Sequence, residues 1–219
     1  RLRTPPTSGN QYHYLTWAME VPGVGGVQVY PLEKGANTVG VVLIDQFGKP
    51  ASPELVEQVQ THIDPGSQAL ALQQSDRFGW ISLNFTGGRL FVESTEAEHQ
   101  TIEAPPTQTA LYAAAAGEVK VNLSMQVTKD AETAQDTVTQ AIRDRVDAYL
   151  TEIALEAYRP VLASDHAYEA SFARIGAAIL GAPGVEDYTG LTVNGGTVNV
   201  KAASKQVAVL GEVVVRYAP

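Results

Sequence analysis

The chain has 219 residues, of which 44% are hydrophobic and 18% are charged, a composition typical of a globular protein. It contains no cysteine, which excludes disulfides, thiolate metal sites and cysteine nucleophiles. Its 24 acidic and 15 basic residues give a net charge of −9, so nucleic acid and an anionic membrane surface are unfavourable partners.

The amino-terminal sequence begins with Arg1 and shows no charged stretch leading into an apolar one. No run approaches the ~18 apolar residues that a membrane-spanning helix needs. We therefore expect a piece of a longer intracellular protein, without membrane insertion.

The sequence predicts a first α+β unit at residues 1–66. Apolar residues at helical spacing predict a helix that ends near Glu20. Pro22 and Gly23 stop this helix, because proline lacks an N–H donor and glycine readily adopts positive φ.

Two strands and a second helix complete this unit. Strands are predicted at Val27–Leu32 and Thr38–Asp45, and the second is apolar on both faces, which favours a central position in a sheet. Ser52-Pro53-Glu54 is typical of a helix start, and Asp64-Pro65-Gly66 ends that helix.

The sequence predicts that residues 67–104 are an insertion between two units. Within it, Trp80–Phe85 and Leu90–Glu93 flank Thr86-Gly87-Gly88, a pattern that predicts a β-hairpin. The polar stretches on either side give no further prediction of structure.

The sequence predicts a second α+β unit at residues 105–219. Alternating apolar residues from Val119 to Val127 predict a half-buried antiparallel strand. The remaining predicted elements are two helices, about Ala131–Ala157 and Tyr168–Leu180, and three strands, about Asp187–Val193, Thr197–Ala202 and Gln206–Tyr217. The predicted fold class is α+β, with helices on one face of each antiparallel sheet.

The chain also contains an apparent internal repeat. Pro22-Gly23-Val24 and Pro183-Gly184-Val185 each follow a predicted helix and precede a predicted strand, about 160 residues apart. The alternative is that Pro-Gly-Val is a common helix stop. We expect two units of related design, with Gly195-Gly196 forming a turn in the second.

Motifs of catalysis and cofactor binding do not occur in the sequence. The glycines after Gly23 lack the dinucleotide-binding spacing, and no P-loop is present. Ser164-Asp165-His166 are adjacent, so they are not able to form a relay between nucleophile, base and acid. The sequence therefore predicts no enzyme activity, no cofactor, no metal site and no small-molecule substrate.

Several separated segments together carry a resemblance to a known family. They are Pro5-Pro6-x-Ser8-Gly9-Asn10, His13-Tyr14-x-x-Trp17-Ala18, Val21-Pro22-Gly23-Val24-Gly25, Pro50-Ala51-Ser52-x-Glu54-Leu55-Val56, Val59-Gln60, Ile63-Asp64-Pro65, Tyr149-Leu150, Arg174-Ile175-Gly176, Pro183-Gly184-Val185-x-Asp187-Tyr188, Leu191 to Gly196 and Val207 to Gly211. In order and spacing the sequence resembles baseplate J-like proteins of contractile-tailed phages, the phage Mu type.

This resemblance implies a structural role as a baseplate wedge component in a phage or prophage tail. The implied partners are neighbouring wedge proteins and copies of the chain itself, first in the bacterial host cytoplasm and then in the virion tail. It implies no catalytic residues. The motif residues are expected to be structural: Pro6, Ser8, Gly9, Tyr14, Trp17, Pro22, Gly23, Val24, Pro183, Gly184, Val185, Gly195 and Gly196.

Two other hypotheses remain open from the sequence. Trp80, Phe85 and Phe91 of the predicted hairpin suggest a binding module for a surface glycan or receptor, because aromatic rings stack on sugars, although they also pack small sheets. An enzyme would require His13, His166 and carboxylates to converge in the fold.

Overall fold

The computed structural model describes residues 11–33, 38–63, 80–86, 89–95, 110–159 and 167–218, with the backbone alone described for 80–86 and 89–95. Its helices are α1 (Gln11–Met19), α2 (Pro53–Ile63), α3 (Gln135–Ala157) and α4 (Phe172–Leu180). Its strands are β1 (Val24–Pro31), β2 (Thr38–Asp45), β3 (Trp80–Thr86), β4 (Arg89–Thr95), β5 (Ala110–Ala115), β6 (Gly117–Lys129), β7 (Tyr168–Ala170), β8 (Val185–Val193), β9 (Val200–Ala202) and β10 (Gln206–Tyr217).

Two units divide the chain, one of residues 1–43 with 51–115 and the other of residues 44–50 with 116–219. The first contains a three-stranded sheet in the order β1-β2-β5, which confirms the predicted central position of β2. Its core includes α1 through Tyr14, Leu15 and Ala18, and α2 through Val59 and Ile63.

Strand β5 was not predicted, and it pairs with β2 in parallel, with Leu111 opposite Val39 and Ala113 opposite Val41. Its sequence, Ala-Leu-Tyr-Ala-Ala-Ala, is poor in the β-branched residues that favour strands. Tertiary pairing with β2 and burial of Leu111 override this weak local preference.

The second unit is built on a sheet in the order β10-β6-β8. The predicted alternation in β6 is confirmed, because Val121, Leu123, Met125 and Val127 are buried. Helix α3 contributes the other layer of this core through a stripe of side chains with helical spacing: Val138, Ile142, Val146, Leu150 and Ile153. Full burial of one such aliphatic side chain contributes roughly 1.5–3 kcal/mol.

The α+β class is confirmed, but both three-stranded sheets are mixed where antiparallel sheets were expected. Strand β6 pairs with β8 in antiparallel and with β10 in parallel. Burial periodicity gives the face of a strand and carries no information on the direction of its neighbour, which explains the error.

The predicted start of α4 also differs. Tyr168–Ala170, predicted as the start of a helix, is strand β7 and pairs with β9, so α4 begins at Phe172. Ser171 separates the two elements, since its Oγ accepts a hydrogen bond from the Arg174 N–H and caps the helix.

A turn at residues 45–49 belongs to the second unit. The Phe47 carbonyl accepts a hydrogen bond from Thr151 Oγ1 at 3.0 Å, and Lys49 Nζ lies 3.2 Å from Asp147 Oδ2. Gly48 has a φ of +68°, and a Cβ there would lie 3.1 Å from the Thr151 Cα. The turn is thus fixed on α3.

The predicted hairpin is confirmed by the antiparallel pairing of β3 with β4. Asn84 lies opposite Phe91 and Phe85 opposite Leu90. Because residues alternate between the faces of a strand, this register assigns Trp80 and Phe91 to one face and Phe85 to the other.

Candidate functional site

The described motif residues near the amino terminus pack one face of α1. Tyr14 is buried, and its ring meets the Trp17 ring edge-on with 5.7 Å between centroids. The His13 ring lies 5.0 Å from the same indole. These residues serve packing in the first unit. Pro6, Ser8 and Gly9 lie outside the described residues.

The two Pro-Gly-Val segments form the same local turn. The Val24 N–H donates to the Val21 carbonyl at 3.3 Å, and the Val185 N–H donates to the Ala182 carbonyl at 3.1 Å. Gly23 and Gly184 have φ values of +98° and +84°. Proline followed by a glycine with positive φ is the pattern of a type II turn, which here joins a helix to a strand.

The sheets that follow these turns differ, so a duplication is not confirmed. Strand β1 neighbours β2 directly, whereas β8 pairs with β6 and the next strand, β9, pairs with β7. The shared turn is therefore a local similarity between two differently connected sheets.

The surroundings of the two glycines are also unlike each other. A Cβ on Gly184 would lie 2.8 Å from Val138 Cγ2 and 3.1 Å from Thr133 Cγ2, whereas the nearest atom to a Cβ on Gly23 is a Leu55 methyl at 3.6 Å. The second turn thus brings its backbone against the start of α3. The Gly184 carbonyl also accepts a hydrogen bond from the Asp130 N–H at 3.1 Å.

Asn194 and Gly195 form the turn that ends β8. Both have positive φ, +51° and +78°, as the central residues of a type I′ turn require. Val193 and Gly196 exchange two backbone hydrogen bonds across this turn, at 2.8 and 3.0 Å. The predicted Gly195-Gly196 turn is therefore present, with Asn194 and Gly195 at its centre.

The Asn194 side chain also ties this turn to β6. Its Oδ1 accepts a hydrogen bond from the Asn122 N–H at 2.9 Å, and its Nδ2 donates to the Lys120 carbonyl at 3.0 Å. A third bond runs from the Asn194 N–H to the Asn122 carbonyl at 2.8 Å. One asparagine thus fixes the register of β8 against β6.

On its other side, Asn122 contacts an irregularity in β10. The register of β10 shifts between Leu210 and Val213, and the Glu212 N–H donates to Asn122 Oδ1 at 2.9 Å. A Cβ on Gly211 would overlap that same oxygen. We call Asn122, Asn194, Gly211 and Glu212 the three-strand clamp, because their contacts connect all three strands of the sheet.

Asp130 organises the segment between β6 and α3. Its Oδ1 accepts hydrogen bonds from the N–H groups of Glu132 and Thr133, and its Oδ2 accepts one from the Thr133 hydroxyl. These bonds to Thr133 are the main reason that the pKa of Asp130 lies below its usual value. They also occupy residues that the sequence assigned to the helix, so α3 begins at Gln135.

The lowered pKa of Asp130 gives a prediction for acid stability. A group whose pKa is lower in the folded state stabilises the protein above its unfolded pKa, about 3.9 for Asp, and this contribution is lost as pH falls through the folded value. We expect Asp130→Asn to unfold at lower urea concentration than wild type at pH 7, with the difference shrinking below about pH 4. Urea titrations at several pH values measure it.

Glu132→Gln is the control for this experiment, because it removes one negative charge from the same segment and leaves the Asp130 carboxylate in place. If the difference in urea midpoint between wild type and Asp130→Asn stays constant down to pH 2, the lowered pKa of Asp130 is not the source of its stabilising effect.

Of the two candidate catalytic histidines, His13 lies against Trp17, and His166 lies outside the described residues. Another histidine, His62, has its Nε2 3.0 Å from Glu20 Oε2 in an exposed pair that links α2 to α1. The described ranges contain no group of three potential His or carboxylate metal ligands. They also include no helix that is both long and apolar enough to cross a bilayer.

Comparison with known proteins agrees with the motif segments. The Baseplate J-like central domain matches residues 6–80, and the Baseplate J-like protein C-terminal domain matches residues 121–216, which together cover most of the chain. The chain belongs to the baseplate J-like family. Both Pro-Gly-Val turns and the three-strand clamp lie within these matched segments.

Three relatives show how far the similarity extends. Phage-like element PBSX protein XkdT and protein YqbT, both of Bacillus subtilis strain 168, are 26% and 27% identical over 97% of this chain. Baseplate protein gp47 of Escherichia phage Mu is 39% identical over 71 residues, 30% of this chain and 20% of its own length. The baseplate J-like chain spans 49% of the length of XkdT and YqbT.

The contacts that join the residues of the three-strand clamp are not apparent from the sequence. Asn194-Gly195 is a recognisable turn signal, but nothing local connects Gly211 with Asn122, which are 89 positions apart. A glycine inside a strand is a signal for a bulge or a close approach, and at Gly211 both occur.

Proposed function

We propose that this baseplate J-like chain is a structural wedge component of the baseplate in a contractile phage or prophage tail. The observation that carries the proposal is the presence of the family's central and C-terminal domains in order along one chain. The relatives named as a phage-like element protein and a phage Mu baseplate protein support the same role.

The described motif residues support a mechanical role. Tyr14 and Trp17 pack α1, Gly23 and Gly184 turn the chain from helix to strand, and Gly195 turns it within a hairpin. Each of these residues fixes the backbone or fills the core. We assign the chain no catalytic function, and its proposed partners are neighbouring baseplate proteins and copies of itself, with no nucleic acid, membrane or small-molecule substrate.

The baseplate role can be tested by deleting the gene from a phage or prophage that carries it. We expect particles without an assembled baseplate by negative-stain electron microscopy, and recovery when the wild-type gene is supplied on a plasmid. Complete baseplates at the wild-type frequency in the deletion strain would overturn the proposal. The assembly is expected to take place in the host cytoplasm and the protein to remain in the virion tail.

The finer assignment to the wedge needs a separate measurement. Chemical crosslinking of purified tails, followed by mass spectrometry, should connect this chain to other baseplate proteins and to copies of itself. Crosslinks confined to tube or sheath subunits would contradict the wedge assignment and leave a tail role in place.

A further inference from the structure

The outer edge of β5 is occupied by a side chain of α2. Within the sheet formed by the described strands, β5 is an edge strand, so one row of its N–H and C=O groups faces away from β2. Gln60 Nε2 donates to the Leu111 carbonyl at 3.1 Å, and Gln60 Oε1 accepts from the Ala113 N–H at 2.9 Å.

These two bonds reproduce the contact that a neighbouring strand would make. A carboxamide carries one carbonyl acceptor and N–H donors, the same groups as a peptide unit, and it bonds the backbone on either side of Tyr112. Helix α2 holds Gln60 at this edge because the adjacent Val59 and the nearby Ile63 are both buried.

The β5 edge has the properties of a strand that requires protection. Residues Ala110–Ala115 include no charged residue and no proline, the residues that commonly prevent strand addition. An uncharged strand also lacks like-charge repulsion against an identical strand, although the whole chain carries a net charge of −9.

The edge strand β10 in the second unit is covered in a comparable way. Tyr168 Oη accepts a hydrogen bond from the Ala208 N–H at 2.8 Å, and Tyr158 Oη donates to the Gln206 carbonyl at 3.2 Å. Side chains thus bond edge-strand backbone in both units, and Gln60 differs from the tyrosines in bonding a donor and an acceptor together.

We propose that Gln60 blocks strand addition at β5, and that without it the β5 edge pairs with the same edge of a second copy of the chain. Like edges meet in a symmetric pair, in which each strand supplies the same groups to the other. The blocked edge directs any assembly of wild-type copies to other surfaces.

Three substitutions in the full chain test this proposal. Gln60→Ala removes the block, Gln60→Lys removes the acceptor for the Ala113 N–H but places a charge at the edge, and Gln58→Ala is a control at an exposed position of the same helix. Light scattering over a concentration series measures the mass of each variant relative to wild type.

We expect Gln60→Ala to double in mass at concentrations where wild type, Gln58→Ala and Gln60→Lys do not. Amide exchange at Ala113 should be faster than wild type in dilute Gln60→Ala, and protection should return as the mass doubles. Should Gln60→Ala fail to fold by circular dichroism, Gln60→Asn, one methylene shorter, carries the same expectation.

Two results would overturn the proposal. The first is a folded Gln60→Ala or Gln60→Asn with the wild-type mass curve at every concentration. The second is association of Gln60→Lys to the same extent as Gln60→Ala, which would show that a charge at the β5 edge does not prevent the association and that the two copies do not pair through this edge.

Discussion

Gly184→Ala is expected to lower the free energy of unfolding of the second unit by about 3 kcal/mol. An L-residue with positive φ costs about 1–2 kcal/mol relative to glycine, and insertion of a methyl group into a packed site costs about 1–3 kcal/mol more. Both costs apply at Gly184, which has a φ of +84° and lies against Val138 and Thr133.

Gly190 in β8 provides a matched control in the same unit. Its φ is +64°, and a Cβ there would meet no other atom within 4 Å, so Gly190→Ala carries the backbone cost alone, about 1–2 kcal/mol. Urea-induced unfolding is monitored by the hydrogen exchange of peptides from α3, so that the free energy of unfolding of the second unit is measured separately from that of the first. Equal destabilisation by the two variants would show that the contact with α3 has no energetic importance.

Gly211→Ala is expected to cost about 1 kcal/mol by a different mechanism. A Cβ at this position would overlap Asn122 Oδ1 and displace the acceptor of the Glu212 N–H. Because this hydrogen bond is exposed, water can replace the lost acceptor, and the loss costs about 1 kcal/mol. Hydrogen exchange of the peptides that contain Glu212 should show the released amide directly.

A double-mutant cycle with Asn122→Ala isolates this contact. Asn122→Ala alone should cost about 1 kcal/mol, because it removes one hydrogen bond at an exposed position. It also makes room for the new methyl group, so Gly211→Ala together with Asn122→Ala should be little less stable than Asn122→Ala alone. Additive losses in the double variant would contradict the clamp as described.

Local chemistry was sufficient to predict most of the elements. Pro22 and Gly23 marked the end of α1, Ser52 and Pro53 marked the start of α2, and the alternation in β6 identified its buried face. In each case the signal lies within a few residues of the feature it specifies. The apolar residues that recur at helical spacing, such as those of α3, are also local signals.

The remaining features depend on partners that are distant in the sequence. Alanine-rich β5 is a strand because β2 lies beside it and Gln60 bonds its other edge. Tyr168 belongs to a strand because it pairs with Ala202, which no local pattern indicates. The directions of β5 and β10, and the meeting of Gly211 with Asn122, are likewise set by tertiary structure.

The turn at residues 45–49 has a consequence for synthesis on the ribosome. Lys49 and Phe47 contact α3 residues that are 98 and 104 positions later in the chain. At about 5–20 residues per second, roughly 5–20 s pass between translation of the turn and translation of its helix. The second unit therefore incorporates an early segment that emerges in advance of its partner, and its completion must follow translation of α3.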